Sequence, residues 1–494
     1  MRNPFHFPGA LRPVLPSLLA LALAACVAGP DHVRPDLPLP GEYAQAGQAG
    51  AAALPAPAAA FWREFQDPQL DALVVAALEA NHDLRIALAN YERANALLRG
   101  ARLDYVPTVT ASAEAADVRL SADEAPGVPR AGRDREEYRA GIGASWELDL
   151  FGRVRRGVES RRADAAATAS DVAALQVVIV GEVVQGYFEM RGAQERLRVA
   201  RANAANQRDT LELVELQLDA GRGTGFDSAR AHAQLESTLA RIPALQAEVS
   251  VHQHRLAVLS GRNPGALLEA FADPRPLPYL PPRLDPGAPG DLLRRRPDIA
   301  AAEHRLHAAT ARIGVAHADL FPRFTLGGLI GSQAIDSSML FERDSETRLV
   351  ALGIDWSFLD LGRVRARIAA ADAEAAADLA RYEQTVLLAL EDVENALVRH
   401  ARSREQDAHL QRAADNSARA AELAVTRFEA GAADLLEVLD SERTLLQAQD
   451  ALAQARTRTV TTAAGIYRAL AGGWPQHLPR SERVAVGAET RNWR

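Results

Sequence analysis

Two periods of hydrophobic and polar residues share this chain. Tyr138, Ala140, Ile142, Ala144, Trp146, Leu148 and Leu150 alternate with Arg139, Gly141, Gly143, Ser145, Glu147 and Asp149, the period of two that gives a strand one apolar and one polar face. A shorter run with the same alternation, Thr108 to Glu114, precedes it across a polar loop. From Arg153 to Asp219 there is then no proline, which predicts one uninterrupted helix of roughly 100 Å at 1.5 Å per residue.

The pattern then repeats. Trp146-Glu-Leu-Asp-Leu-Phe-Gly-Arg-Val-Arg155 returns 210 residues later as Trp356-Ser-Phe-Leu-Asp-Leu-Gly-Arg-Val-Arg365, so the chain is a duplication whose motif marks a strand-to-helix junction twice. Strands are expected at about 108–116, 138–150, 323–332 and 348–359, and helices at about 153–219, 226–260, 363–430 and 435–470. Tyr382, Val386, Leu390, Val393 and Leu397 recur at coiled-coil spacing. Matched Ala220-Gly221 and Ala430-Gly431 end the long helices, and Pro243 should kink the first returning helix. The repeats occupy 61–263 and 291–474, joined by a Pro-rich crossover at 264–290 and followed by an irregular tail at 475–494.

The long strand's apolar face, with Tyr138 at one end and Trp146 near the other, fits lipid contact, with polar or small residues turned to a lumen. Four strands cannot close a membrane barrel, for which about eight is the minimum, and an open sheet in lipid leaves unpaired edges. The chain must therefore oligomerise. Two, three or four copies satisfy the count equally.

Composition narrows the class. Alanine-rich helices suit a chain with 5% aromatic residues, and a net charge of −8 with no basic stripe argues against nucleic acid. Residues 1–25 read as a signal peptide, with Arg2 and Arg12 before an apolar core too short to be a permanent span. Leu23-Ala-Ala-Cys26 resembles a lipobox and makes Cys26, the single cysteine, the expected lipid attachment site. Val27 after it, by analogy with bacterial lipoproteins, favours the outer membrane, and 26–60 reads as an extended tether. His304 and His307, like His252 and His254, lack further ligands at supporting spacing, so no metal or other cofactor is expected. No catalytic motif rises above chance, and a non-enzyme is expected. Glu147 and Asp149, two apart on a polar strand face, read as lumen lining.

Further residues carry a family resemblance: Arg294-Arg-Arg-Pro297-Asp298-Ile-Ala-Ala-Ala-Glu303-His-Arg-Leu306, Gly314 through Phe324, Val258-Leu-Ser-Gly261-Arg-Asn-Pro264, Phe61-Trp62 with Asp67-Pro68, and Leu470-Ala-Gly-Gly473-Trp474. Over nearly the whole mature chain it resembles the trimeric outer-membrane efflux factors of the TolC and OprM type, in the NodT-like lipoprotein branch. The resemblance implies an α+β membrane fold, in which a trimer pools twelve strands into an outer-membrane barrel and twelve helices into a periplasmic coiled-coil tunnel. It implies a passive exit duct for small molecules, working with a periplasmic adaptor and an inner-membrane pump of the resistance-nodulation-division class. An exit channel for secreted proteins and a non-porous lipid-anchored scaffold are the alternatives.

The resemblance also points to sites. Leu436 and Asp440, four apart on one helical face, match aperture positions closed by an apolar ring and a carboxylate ring. Asp434 and Thr224 read as helix caps, while Glu437 and Asp227 divide between cap and pore. Arg230 is the first-repeat counterpart of Asp440 and its expected salt-link partner. Phe428 replaces a latch tyrosine of several relatives. Arg222, Gly223 and Ala432 mark the tips for adaptor contact, and Trp146 and Trp356 the membrane interface.

Overall fold

The computed structural model describes residues 27–45, 60–278 and 288–471. Cys26, the signal peptide and the tail after 471 lie outside the described residues. The helices are α1 (Pro68–Ala80), α2 (His82–Arg102), α3 (Arg153–Asp219), α4 (Gly225–Leu239), α5 (Arg241–Leu259), α6 (Pro289–Arg295), α7 (Pro297–Ala318), α8 (Leu361–Glu429) and α9 (Leu435–Ala469). The strands are β1 (Thr108–Arg119), β2 (Asp134–Leu148), β3 (Arg323–Ala334) and β4 (Glu346–Asp355). Contacts divide the chain into two units: residues 1–36, 91–168 and 301–382 form the first, and the remainder the second.

In the first unit, β1-β2-β3-β4 make one antiparallel sheet. Val109, Ala144, Gly328 and Val350 stand in line across it, as do Ala111, Ile142, Ile330 and Arg348, so one face gathers most of the apolar positions of the four strands, with Leu329 and Leu349 paired on the other. Gly141, Ser145, Thr325 and Gly353 belong to the other face. Gly331 has no room for a Cβ, which would lie 2.5 Å from the Ala140 carbonyl oxygen.

The first junction is held by its own carboxylates. Asp149 accepts the Val154 and Arg155 amides at 3.1 and 2.9 Å, satisfying donors that the start of α3 leaves open, and Glu147 pairs with Arg153. Helix capping and an ion pair are therefore the roles of these two acids within the protomer. The two tryptophans occupy equivalent places. Trp146 donates to the Tyr105 carbonyl and Trp356 to that of Leu320, each at 3.1 Å and each two residues before a proline.

The stretch expected to be a free tether is partly clamped. Ala28 donates to the Phe151 carbonyl at 3.0 Å, buried Arg156 holds Asp31 at 2.6 Å, His32 stacks on His307 at 4.5 Å, and Arg34 pairs with Glu303. Gly29 is required in this strap. Its φ is +84°, and a Cβ there would lie 2.4 Å from Gly314 Cα.

In the second unit, Phe61, Phe65, Leu70, Tyr187, Phe188, Leu256, Leu397, Ile466 and Tyr467 are buried in one core. Asp67 caps α1, accepting the Gln69 and Leu70 amides ahead of Pro68. The Arg-Arg-Pro-Asp motif has a packing role: Arg296 grips Asp298, Asp392 and the Ala469 carbonyl, tying the start of α7 to α8 and the end of α9. The returning helix breaks at Ala240, three residues before Pro243, because the proline ring crowds the carbonyl four positions back, at Leu239.

Candidate functional site

Both tips lie in the second unit, and their turns are built alike. Gly221 and Gly431 adopt φ of +70° and +73°. Arg222 and Ala432 donate back to Gln217 and Arg427 at 2.8 and 2.7 Å, while Gly221 and Gly431 donate to Leu218 and Phe428, both at 2.9 Å. This double bond is the glycine-terminated helix end that satisfies the last carbonyls. Arg222 and Ala432 are exposed, and Gly223 is half-buried against Leu218.

The tips then diverge. Thr224 caps α4 reciprocally: its hydroxyl accepts the Asp227 amide at 3.2 Å, and the Asp227 carboxylate accepts the Thr224 amide at 3.2 Å. Asp434 caps α9 by accepting the Glu437 amide at 2.9 Å, but the Glu437 carboxylate turns to Arg427 at 3.2 Å instead of completing the box. Asp227 is therefore engaged in its cap, whereas Glu437 remains on the surface as one half of an exposed ion pair.

Along α9, Leu435, Val438, Leu439, Leu445 and Leu446 are buried. Leu436, Asp440 and Arg443 form an exposed stripe at four- and three-residue spacing, and Asp440 pairs with Arg443 inside the stripe. Within the protomer, Asp440 and Arg230 each have a partner other than one another. Asp440 finds Arg443 one turn along its own helix, and the Arg230 guanidinium lies over the Phe226 ring at 5.4 Å. Phe428 packs against the apolar cluster that includes Leu211, Val214, Leu435 and Leu439.

Glu442 was not singled out from the sequence. It is buried on the inner face of α9, one carboxylate oxygen accepting from the Thr210 hydroxyl at 2.7 Å and the other enclosed without a partner. Burial raises its pKa above the usual carboxylate range, and the Thr210 hydrogen bond opposes that shift. An acid among the buried Val438, Leu439 and Leu445 positions was the available cue. Arg191 is likewise fully buried, held by Tyr187, Gln194 and the Asp273 carbonyl. Among the described residues no cluster of His, Cys, Asp and Glu has metal-binding geometry. His307 is bonded to Glu159 at 2.9 Å, and His252 lies 3.7 Å from Glu189.

A sheet with one apolar face, joined through twice-repeated junctions to very long helices, defines an outer-membrane channel with a periplasmic extension. The chain belongs to the outer membrane efflux protein family, whose model matches residues 73–262 and 288–472, one stretch per repeat. It is 31% identical over 449 residues to nodulation protein T of Rhizobium leguminosarum bv. trifolii, covering 88% of this chain and 92% of that protein. It is 32% identical over 490 residues to outer membrane protein OprJ of Pseudomonas aeruginosa, covering 96% and 98%. The solved outer-membrane channel OprN superposes with a TM-score of 0.85 at 41% identity, over 91% of this chain and all of that one. The protein is the outer-membrane exit channel of a tripartite efflux system.

Proposed function

We propose that three copies pool their strands into a twelve-stranded barrel, and that the second tip of each copy carries the gate of the duct. The observation behind this reading is the exposed stripe of Leu436, Asp440 and Arg443, which leaves the leucine and the Asp440–Arg443 pair on the protomer's surface, where they can meet their copies on a symmetry axis. Three leucines there would form an apolar constriction. Three Asp440 carboxylates would repel one another and attract cations, so protonation, a bound cation or the neighbouring Arg443 sets how tightly the aperture closes. Asp227 and Glu437 contribute negative charge beside it.

Arg222, Gly223 and Ala432 form the docking tips for a periplasmic adaptor, which links the duct to an inner-membrane pump of the resistance-nodulation-division class. The cargo is small molecules, sorted by the pump. Cys26 carries the lipid. In support, Val27 sits against Gly152 at the first junction, where a Cβ on Gly152 would lie 2.8 Å from the valine side chain. Trp146 and Trp356 mark the periplasmic-side interface of the outer membrane.

Crosslinking from Arg222→Cys and Ala432→Cys in cells tests the docking tips. An adaptor captured at both positions, and not from Arg198→Cys partway along α3, is the expected result. Capture at all three positions, or at Arg198→Cys alone, contradicts the assignment.

A further inference from the structure

The β3–β4 loop, residues 335–345, reads as polar from Asp336, Glu342, Arg343 and Asp344. The structure gives it exposed apolar residues as well: Ile335, Met339 and Phe341 are 68%, 44% and 76% exposed. Phe341 holds a φ of +81°, a conformation a bulky side chain adopts only when its surroundings impose it. Its amide donates to the Ser332 hydroxyl at 3.0 Å.

That bond fixes which side of the sheet the loop covers. Ser332 shares the face of Ile330 and Leu326 by the alternation of β3, and its partners Ala140 and Glu346 lie on the same face. Ser332 and Ala334 are buried, so the chain folds back over the lipid face and not over the lumen. The loop is ordered there by its own bonds, with Asp336 accepting from the Ser338 amide and Ser345 bonding the Met339 carbonyl.

The lipid face needs more apolar surface at this point. On β4 it ends at Val350, followed outward by Arg348 and Glu346 opposite Ile330 and Ser332. On β2, Trp146 to Tyr138 spans about 27 Å of strand, roughly 20 Å along the membrane normal at ordinary tilt, against an apolar band of about 25 Å.

We propose that the β3–β4 loop is a membrane anchor, in which Phe341, with Met339, seats among the acyl chains of the outer leaflet at the outer rim of the barrel. The patch continues the lipid-facing band, which selects lipid as its occupant. A second copy would reach the sheet at its edge strands β1 and β4, whereas Phe341 is tied to β3, one strand inside the edge. The charged residues of the same loop stay at the headgroups, giving the amphipathic character of an interface belt.

The proposal rests on the barrel reading and is tested separately from it. Full-length protein carrying Phe341→Cys, Glu342→Cys or Ile330→Cys, each spin-labelled and reconstituted into phosphatidylcholine–phosphatidylglycerol vesicles, reports collisions with membrane-soluble oxygen and with a water-soluble nickel chelate. Oxygen should dominate at 330 and 341, and the chelate at 342. Chelate dominance at 341 with oxygen dominance at 330 overturns the anchor alone, and poor access of both reagents to 341 identifies a neighbouring copy as the occupant and also overturns it. Chelate dominance at 330 overturns the strand assignment beneath the proposal. Met339→Cys supplies the same readout if the Phe341 variant fails to assemble.

Discussion

The two tips of this duplicated chain begin from the same turn and reach opposite chemistry. At the first, Phe226 and Arg230 satisfy each other through a cation over a ring, and Asp227 is engaged in its cap. At the second, the equivalent positions hold Leu436 and Asp440, the cap is one-sided, and Glu437 is left on the surface. Duplication supplied two identical helix ends. Divergence left an aromatic ring under an arginine at the first tip and a leucine beside an acid–arginine pair at the second, and the proposed gate rests on the convergence of that leucine and carboxylate, not on exposure, since Phe226 is exposed as well.

The largest effect expected from this contrast is in cells. A strain with a working adaptor and pump, expressing the Leu436→Ala/Asp440→Ala variant, should become markedly more sensitive to bulky antibiotics that the closed duct excludes, measured as minimum inhibitory concentration. Phe226→Ala/Arg230→Ala should leave susceptibility near the parent. Equal sensitisation by both variants would erase the distinction between the tips.

A smaller effect concerns pH. Glu442 has its pKa raised by burial, so the folded state binds its proton more tightly than the unfolded chain does. Its contribution to stability is complete below the unfolded value of about 4.3 and is lost as pH rises through the raised folded value. Glu442→Gln should remove this dependence and stabilise the second tip at pH 7.5 by on the order of 1 kcal/mol, read as a higher Tm. The first repeat has His232 at the equivalent place, exposed and paired with Glu215 at 3.0 Å, and His232→Gln should change the Tm little at that pH.

The smallest difference lies in the caps. Thr224→Ala and Asp434→Ala should each cost about 1 kcal/mol. Asp227→Ala should add a further loss at the first tip because the reciprocal bond goes with it, whereas Glu437→Ala should not. Hydrogen exchange at the first turns of α4 and α9 measures this. Matching losses for Asp227→Ala and Glu437→Ala would show the caps to be alike.

Much of this was legible in the sequence because it depends on local rules. Alternation located the strands, and the Ala-Gly pairs marked the turns that Gly221 and Gly431 make with positive φ. The Asp67-Pro68 cap follows from side-chain reach over three residues. What remained hidden depends on contacts that spacing does not encode. Asp149 reads as a strand residue until the chain bends and its carboxylate meets the α3 amides. Gly29 is needed because its φ is positive and because Gly314, nearly 300 residues away, packs against it. Within the protomer Asp440 pairs with Arg443, three residues on, a contact that the match between the repeats does not point to. Glu442 was passed over because heptad reasoning weighs apolar positions and gives little notice to an acid placed among them.

Single-channel recording in planar bilayers tests the gate most directly. With purified protein, Leu436→Ala/Asp440→Ala should raise conductance well above the parent, while Phe226→Ala/Arg230→Ala leaves it close to the parent value. Unchanged conductance in the second-tip variant, or an equal rise in both, would contradict the assignment of the gate to Leu436 and Asp440.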